Sequence, residues 1–133
     1  MNVLIWCKHT GIGNLIMFLQ AIREWRLEHR FNWYHNSSHF NDQILFARNH
    51  IEKAITEEPD YTFVLYPNFF ELRKINYKPL IGFKYKIKGI GVKFGLDKAL
   101  KFNNNKSEIY NNMDLIELWL RSYSPLDRTR TIN

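Results

Sequence analysis

A single cysteine in 133 residues leaves no intrachain disulfide to form, and four prolines with six glycines are too few for a collagen-like or low-complexity tract. Long hydrophobic runs are missing too. The first apolar stretch, Val3-Leu4-Ile5-Trp6-Cys7, is five residues long and runs directly into Lys8 and His9, too short for a secretory leader or a membrane span. These absences predict a soluble, cytoplasmic chain, with attachment at the inner membrane face left open. Cys7, at the end of an apolar strand, reads as a buried, inert thiol rather than a nucleophile. Metal-ligand spacing is also lacking. His35 and His39 are four apart, but Asn36-Ser37-Ser38 between them reads as a loop and no His-Glu-x-x-His occurs, so no metal or cofactor site is predicted.

What is present is a core's worth of apolar residues, 45% of the chain, enough for one domain of this length and not for two. The patterns alternate between strand and helix. Leu15, Ile16, Phe18, Leu19, Ile22 and Trp25 form a helical stripe expected to run to about Arg30, followed by a short strand at 31–34 and a helix around Asp42–Asn49. Tyr61-Thr62-Phe63-Val64-Leu65-Tyr66 is the clearest strand. A short helix is expected over 70–75 and a longer one over 107–119, with Ser107 as N-cap and Glu108 in its first turn. Strands separated by helices predict an α/β domain with a mainly parallel sheet over residues 1–123, and a polar tail or linker start over 124–133.

Acidic residues are scarce between Arg73 and Lys106. That segment holds ten of the nineteen Lys and Arg residues and one acid, Asp97, so it carries +9 while the rest of the chain carries −3. Within it, Ile81 to Lys88 and Val92-Lys93-Phe94 alternate apolar and basic residues around Gly89-Ile90-Gly91, predicting a basic antiparallel hairpin on the sheet's edge. Edge lysines keep a strand soluble, and they also suit phosphate or another anion. Phe83, Tyr85 and Phe94 fall opposite the lysines, which disfavours a stacking surface for nucleic acid and favours an anionic sugar or lipid headgroup.

The other candidate site is the turn Lys8-His9-Thr10-Gly11-Ile12-Gly13-Asn14, between the first strand and a helical pattern opening at Leu15. In an α/β fold this is where ligands bind: the glycines admit close approach and the helix N-terminus favours negative charge. Ile16 stands where a dinucleotide fingerprint needs its third glycine, and no Gly-Lys-Ser/Thr follows, so neither NAD binding nor NTP hydrolysis is indicated. Lys8, Thr10, Gly11, Gly13, Lys84 and Lys86 are the candidate substrate-binding residues. Asn14 can orient a hydroxyl or serve as a helix N-cap, and His9, whose residue type has an unperturbed pKa near neutrality, is a candidate base.

Three blocks in order, Asn2-Val-Leu-Ile with Gly11-Ile-Gly-Asn-Leu-Ile-Met-Phe to Ala21-Ile22, Pro79-Leu-Ile-Gly-Phe83, and Ser107-Glu-Ile-Tyr-Asn-Asn-Met-Asp-Leu-Ile116, resemble the N-terminal half of the heptosyltransferase-like glycosyltransferases. These lipopolysaccharide heptosyltransferases have two Rossmann-like domains. The resemblance implies a Rossmann-like, acceptor-side domain, half of a two-domain inverting, metal-independent glycosyltransferase whose nucleotide-sugar site lies on a facing domain. It places Asn14 where the family carries an aspartate general base. A neutral amide cannot take that proton, and loss of a general base costs about 10²–10⁴ in rate, so His9 becomes the substitute candidate. Three functions follow as expectations: an acceptor-binding half that needs a donor domain from another chain, a non-catalytic module for an anionic glycan or glycolipid, or a basic nucleic-acid binder. An unpartnered half would also be prone to self-association.

Overall fold

The computed structural model of the chain describes residues 1–8, 10–53, 58–66, 74–75, 79–87, 90–92 and 95–122. The N-terminal apolar run forms β1 (Asn2–Trp6), with Val3 and Ile5 fully buried and Leu4 nearly so. A strand covered on both faces belongs inside a parallel sheet. Accordingly β2 (Asn32–His35) and β4 (Tyr61–Val64) pair parallel on its two sides, bringing Trp33 and Tyr61 level with Val3. β3 (Glu52–Lys53) lies beyond β2, while β5 (Leu80–Phe83) and then β8 (Lys98–Leu100) lie beyond β4. The order β3-β2-β1-β4-β5-β8, parallel throughout, matches a doubly wound, Rossmann-like sheet whose winding reverses between β1 and β4.

Among the described residues, the expected antiparallel edge on this sheet does not form. Residues 81–88 do not make one basic strand: Ile81-Gly82-Phe83 belongs to the parallel β5, and Lys84 interrupts it. β6 (Tyr85–Ile87) and β7 (Ile90–Val92) pair antiparallel with each other alone, as a separate two-stranded ribbon. Burial explains the difference, since Leu80, Ile81 and Gly82 are all buried and such a stretch is a central strand, whatever follows it. The expected strand residues Lys93 and Phe94, the turn residue Gly89, the helix over 70–73 and the tail 124–133 lie outside the described residues.

Adjacent residues alternate between the sheet's faces. On one face Val3, Ile5, Trp33, Phe63 and Ile81 share a core with α1 (Ile12–Glu24), α2 (Phe40–Arg48) and α3 (Glu108–Ser122). On the other, Val64 and Leu80 pack with Ile75 and Leu96. Trp119 of α3, 1% exposed, sits among Phe31, Trp33, Tyr61 and Phe63, with ring centroids 4.9–6.0 Å away.

The first helix ends at Glu24, short of Arg30. Arg26 N–H donates to the Arg23 carbonyl and Leu27 N–H to the Ile22 carbonyl, closing a Schellman turn with Arg26 at φ 54°. α2 ends in the same way, with His50 at φ 59° and Ile51 N–H on the Phe46 carbonyl. Both turns deliver an apolar residue, Leu27 and Ile51, into the core. Neither uses the glycine that usually marks such an end, which is why the pattern overruns it.

Two aspartates fix strand starts by one device. Asp60 accepts from the Asn2 N–H (2.7 Å) and donates its own N–H to the Asn2 carbonyl (2.8 Å); Asp97 does both with Leu80 at the same distances. The lone acid of the basic segment is therefore spent on joining β8 to β5.

Gly82 is the glycine that packing demands. A Cβ there would sit 2.9 Å from the Val64 carbonyl oxygen and 3.4 Å from a Leu96 methyl, and a backbone oxygen within a sheet cannot retreat cheaply. Gly82→Ala is expected to cost about 1–3 kcal/mol in urea unfolding with an unchanged m-value.

Candidate functional site

The winding reverses where the carboxyl ends of β1 and β4 part, and ligands of doubly wound sheets bind in that crevice. After β1 the chain turns through Lys8, with Thr10 N–H returning to the Cys7 carbonyl (3.2 Å), and α1 begins at Ile12 behind Gly11 as N-cap. Cys7 is buried, and its N–H donates to Asn36 Oδ1 (2.8 Å) at the end of β2. Across the crevice, Thr10 Oγ1 donates to the Leu65 carbonyl (2.5 Å), latching this turn to the end of β4.

Residue 66 is, like Arg26 and His50, a non-glycine residue in the left-handed region. Tyr66 follows β4 at φ 47°, a conformation that costs a bulky residue about 1–2 kcal/mol, and its hydroxyl donates to Glu108. Glu108 opens α3, whose Ser107 cap accepts from the Tyr110 N–H (3.4 Å). Buried Asn111 anchors the loop ahead of it, donating to the carbonyls of Asn103 (3.0 Å) and Ser107 (3.0 Å) and accepting from the Asn103 N–H (2.8 Å). From α1, the side-chain amide of Asn14 faces the same carboxylate; since a carboxylate only accepts, the amide nitrogen is assigned to that side, 2.7 Å from Oε1 and 3.1 Å from Oε2. One carboxylate thus gathers a phenol and an amide at the meeting of two helix N-termini. Burial first, then the hydrogen bond to Glu108 and its charge, push the Tyr66 phenol well above its usual range, so it stays a donor at any physiological pH.

The other candidates fall into place around this cluster. Asn14 is the third residue of α1, so the capping role belongs to Gly11, which makes no side-chain cap. Thr10 is 3% exposed and its hydroxyl is committed to Leu65. A Cβ at Gly11 or Gly13 would meet nothing within 4 Å and neither has a positive φ, so internal packing does not require glycine at either position. Lys8 is exposed with Nζ 5.4 Å from the Trp6 ring centroid, and Lys84, also exposed, follows β5 at the same end of the sheet. Lys101 does so after β8. Lys86 lies in the separate ribbon, where only its backbone pairing with Gly91 is described, and His9 lies outside the described residues.

Tyr66 and Glu108 are the members that sequence patterns missed as functional residues. Glu108 reads there as a helix-start charge and Tyr66 as a strand end; only the docking of α3 against α1 brings them together. Phe83 packs edge-on against Phe102 at 5.3 Å and is partly buried, so it presents no stacking face. No group of three potential metal ligands occurs among the described residues. Nor is any described helix long and apolar enough to cross a membrane.

A second polar cluster closes the β2–α2 loop. His35, 2% exposed, stacks on Phe46 (4.0 Å, 11° between planes) and accepts the Ser37 N–H at Nδ1 (3.2 Å), while Ser37 Oγ donates to Asp42 (2.7 Å). Its outer side borders a shallow depression with Gln43, His50, Glu52 and Lys53, away from the β1–β4 crevice. Burial, helped by the charge of neighbouring Lys53 and opposed by Asp42, lowers its pKa from 6.5 to about 4. His35 is a core histidine held neutral, not a ligand.

Compared with protein families, curated proteins and solved structures, the chain matches none of them.

Two outcomes follow from these networks. Asn14→Asp sets a second carboxylate against Glu108 and is expected to cost about 1–3 kcal/mol at neutral pH, with the loss largely reversed when Glu108→Gln restores a donor opposite it. Urea unfolding of the single and double variants measures this. The folded state refuses the His35 proton down to about pH 4 while the unfolded chain takes it near 6.5, so His35's contribution is whole above 6.5 and lost as pH falls towards 4. The native protein should therefore lose up to about 3 kcal/mol more than His35→Gln between pH 7 and 4.

Proposed function

We propose that this domain is the acceptor-binding side of a glycosyltransferase-related protein, holding a glycan or glycolipid hydroxyl for a nucleotide-sugar bound on a separate donor domain. The observation that carries the reading is the Glu108 carboxylate, held by Asn14 and Tyr66 at the carboxyl ends of β1 and β4. Carboxylate, amide and phenol together supply the acceptors and donors that sugar hydroxyls need. Lys8, Lys84 and Lys101, each following a strand at that end of the sheet, supply positive charge for an anionic acceptor. The family resemblance through Gly11–Phe18, Pro79–Phe83 and Ser107–Ile116 points the same way.

The facing domain has a surface to meet. Ile12 and Ile16 on α1 and Phe40 and Ile44 on α2 are 42–76% exposed, all in the first two turns of helices that begin at the crevice end of the sheet. Apolar pairs at i, i+4 on two such helices suit a covering domain, and also self-association when none is present. In this reading the chain works in the cytoplasm, against the inner membrane face where a glycolipid acceptor is presented. Catalysis waits on the donor domain, since Asn14 is no base.

The reading is tested by amide NMR shifts of the ¹⁵N-labelled chain titrated with a phosphorylated, deacylated lipopolysaccharide inner-core oligosaccharide and, separately, with single-stranded oligonucleotides. Saturable shifts at residues 8–14, 66 and 108 with the oligosaccharide are expected. Binding of unrelated oligonucleotides alone, weakening steeply with salt, would make the domain a nucleic-acid binder instead.

A further inference from the structure

Glu108 sits where two helix N-termini converge, a place that ordinarily attracts phosphate. Here that position already holds a negative charge. A carboxylate offers about four acceptor sites, and Asn14 and Tyr66 together engage only part of them. Glu108 is half-buried and makes no ion pair among the described residues, so its remaining acceptor sites are engaged by no described cation. A phosphate brought there would meet like charge, whereas a hydroxyl would find an acceptor.

A second observation lies one turn further along α3. Asn112 stands four residues after Glu108, on the same helical face, and is 1% exposed with neither its Nδ2 nor its Oδ1 hydrogen-bonded. Buried amides are nearly always satisfied by protein, ordered water or ligand, and this one, one helical turn from Glu108, has both its donor and its acceptor unengaged. Tyr66, 42% exposed, adds a flat apolar ring beside its hydroxyl. Such a ring suits the CH face of a sugar.

We infer, building on the acceptor-side reading, that Glu108, Asn14 and Tyr66 form a subsite for an uncharged polyhydroxyl group, a sugar ring, with Asn112 completing its inner wall. Anionic groups of the same ligand lie outward, towards Lys8 and Lys84. Asn14 and Tyr66 are positioning residues for Glu108, and Glu108 takes the hydroxyl hydrogen bond. Specificity at this point is for hydroxyl against phosphate.

The test titrates the unsubstituted chain, Glu108→Gln and Tyr66→Phe with methyl glycosides of mannose, glucose and galactose, and with inorganic phosphate, following amide shifts. Retained dispersion of the spectra establishes that each variant is folded. At least one glycoside is expected to shift residues 14, 66, 108 and 112, with affinity reduced at least tenfold in Glu108→Gln and several-fold in Tyr66→Phe, while phosphate leaves these residues unmoved. Phosphate binding at these residues, or glycoside binding equal in native and Glu108→Gln, overturns the subsite, as does the absence of any glycoside shift. The inner-core oligosaccharide separates this from the wider reading. If it binds Glu108→Gln as tightly as the native chain, the acceptor-side function stands and the subsite falls; if only glycosides bind, and through Glu108, the subsite stands without that function.

Discussion

Burial of Trp119 is the contact on which the rest of this arrangement depends. Its indole fills the space between Phe31, Trp33, Tyr61 and Phe63, so it seats α3 on β2 and β4 while Trp25 Nε1 ties α1 to the Met113 carbonyl (3.1 Å). Truncating a buried tryptophan costs about 3–5 kcal/mol, a large part of the stability of a domain this size. Nothing in the candidate site matches it in magnitude. With α3 seated by its C-terminal half, the N-terminal end is carried to the carboxyl end of the sheet, and Glu108 arrives opposite Asn14 and Tyr66.

Polar contacts then refine what packing has positioned. The Thr10–Leu65 bond closes the β1 turn onto β4, Asn111 fixes the loop ahead of α3, and the Tyr66 backbone adopts a left-handed conformation that brings its hydroxyl to Glu108. Strain tolerated at one residue beside a crevice, with its hydroxyl on a carboxylate, is a pattern of functional sites. Around the end of β4 and the first turns of α3 the structure thus places a left-handed Tyr66 and the unpaired amide of Asn112, whereas in the β2–α2 loop His35 is held neutral and Asp42 is bonded to Ser37.

Much of the architecture could be read from local pattern. β1, β4 and α3 are legible because their apolar residues repeat at periods of two or about 3.6, and the turn between β1 and α1 is legible because Gly11 and Gly13 separate a strand pattern from a helical one. The failures have physical causes. Arg26 and His50 stand in left-handed turns that usually advertise themselves with glycine, so the first helix seemed longer than it is. Glu52–Lys53 and Lys98–Leu100 are too short to show a period and are strands only because β2 and β5 offer them unpaired edges. The alternation from 81 to 94 looks like one ribbon, but Leu80, Ile81 and Gly82 are drawn into the central sheet by burial. The carboxylate was invisible as a site residue because 94 positions separate Asn14 from Glu108.

The direct measurement is a double-mutant cycle in urea unfolding between Tyr66→Phe and Glu108→Ala. If Glu108 is held at the β1–β4 crevice by the Tyr66 hydroxyl, the two losses are coupled by about 1 kcal/mol or more, because the bond is to a charged group and each single variant already removes it. Losses that simply add, with coupling indistinguishable from zero, would mean that α3 does not deliver its carboxylate to this site, and the account of the site would be wrong.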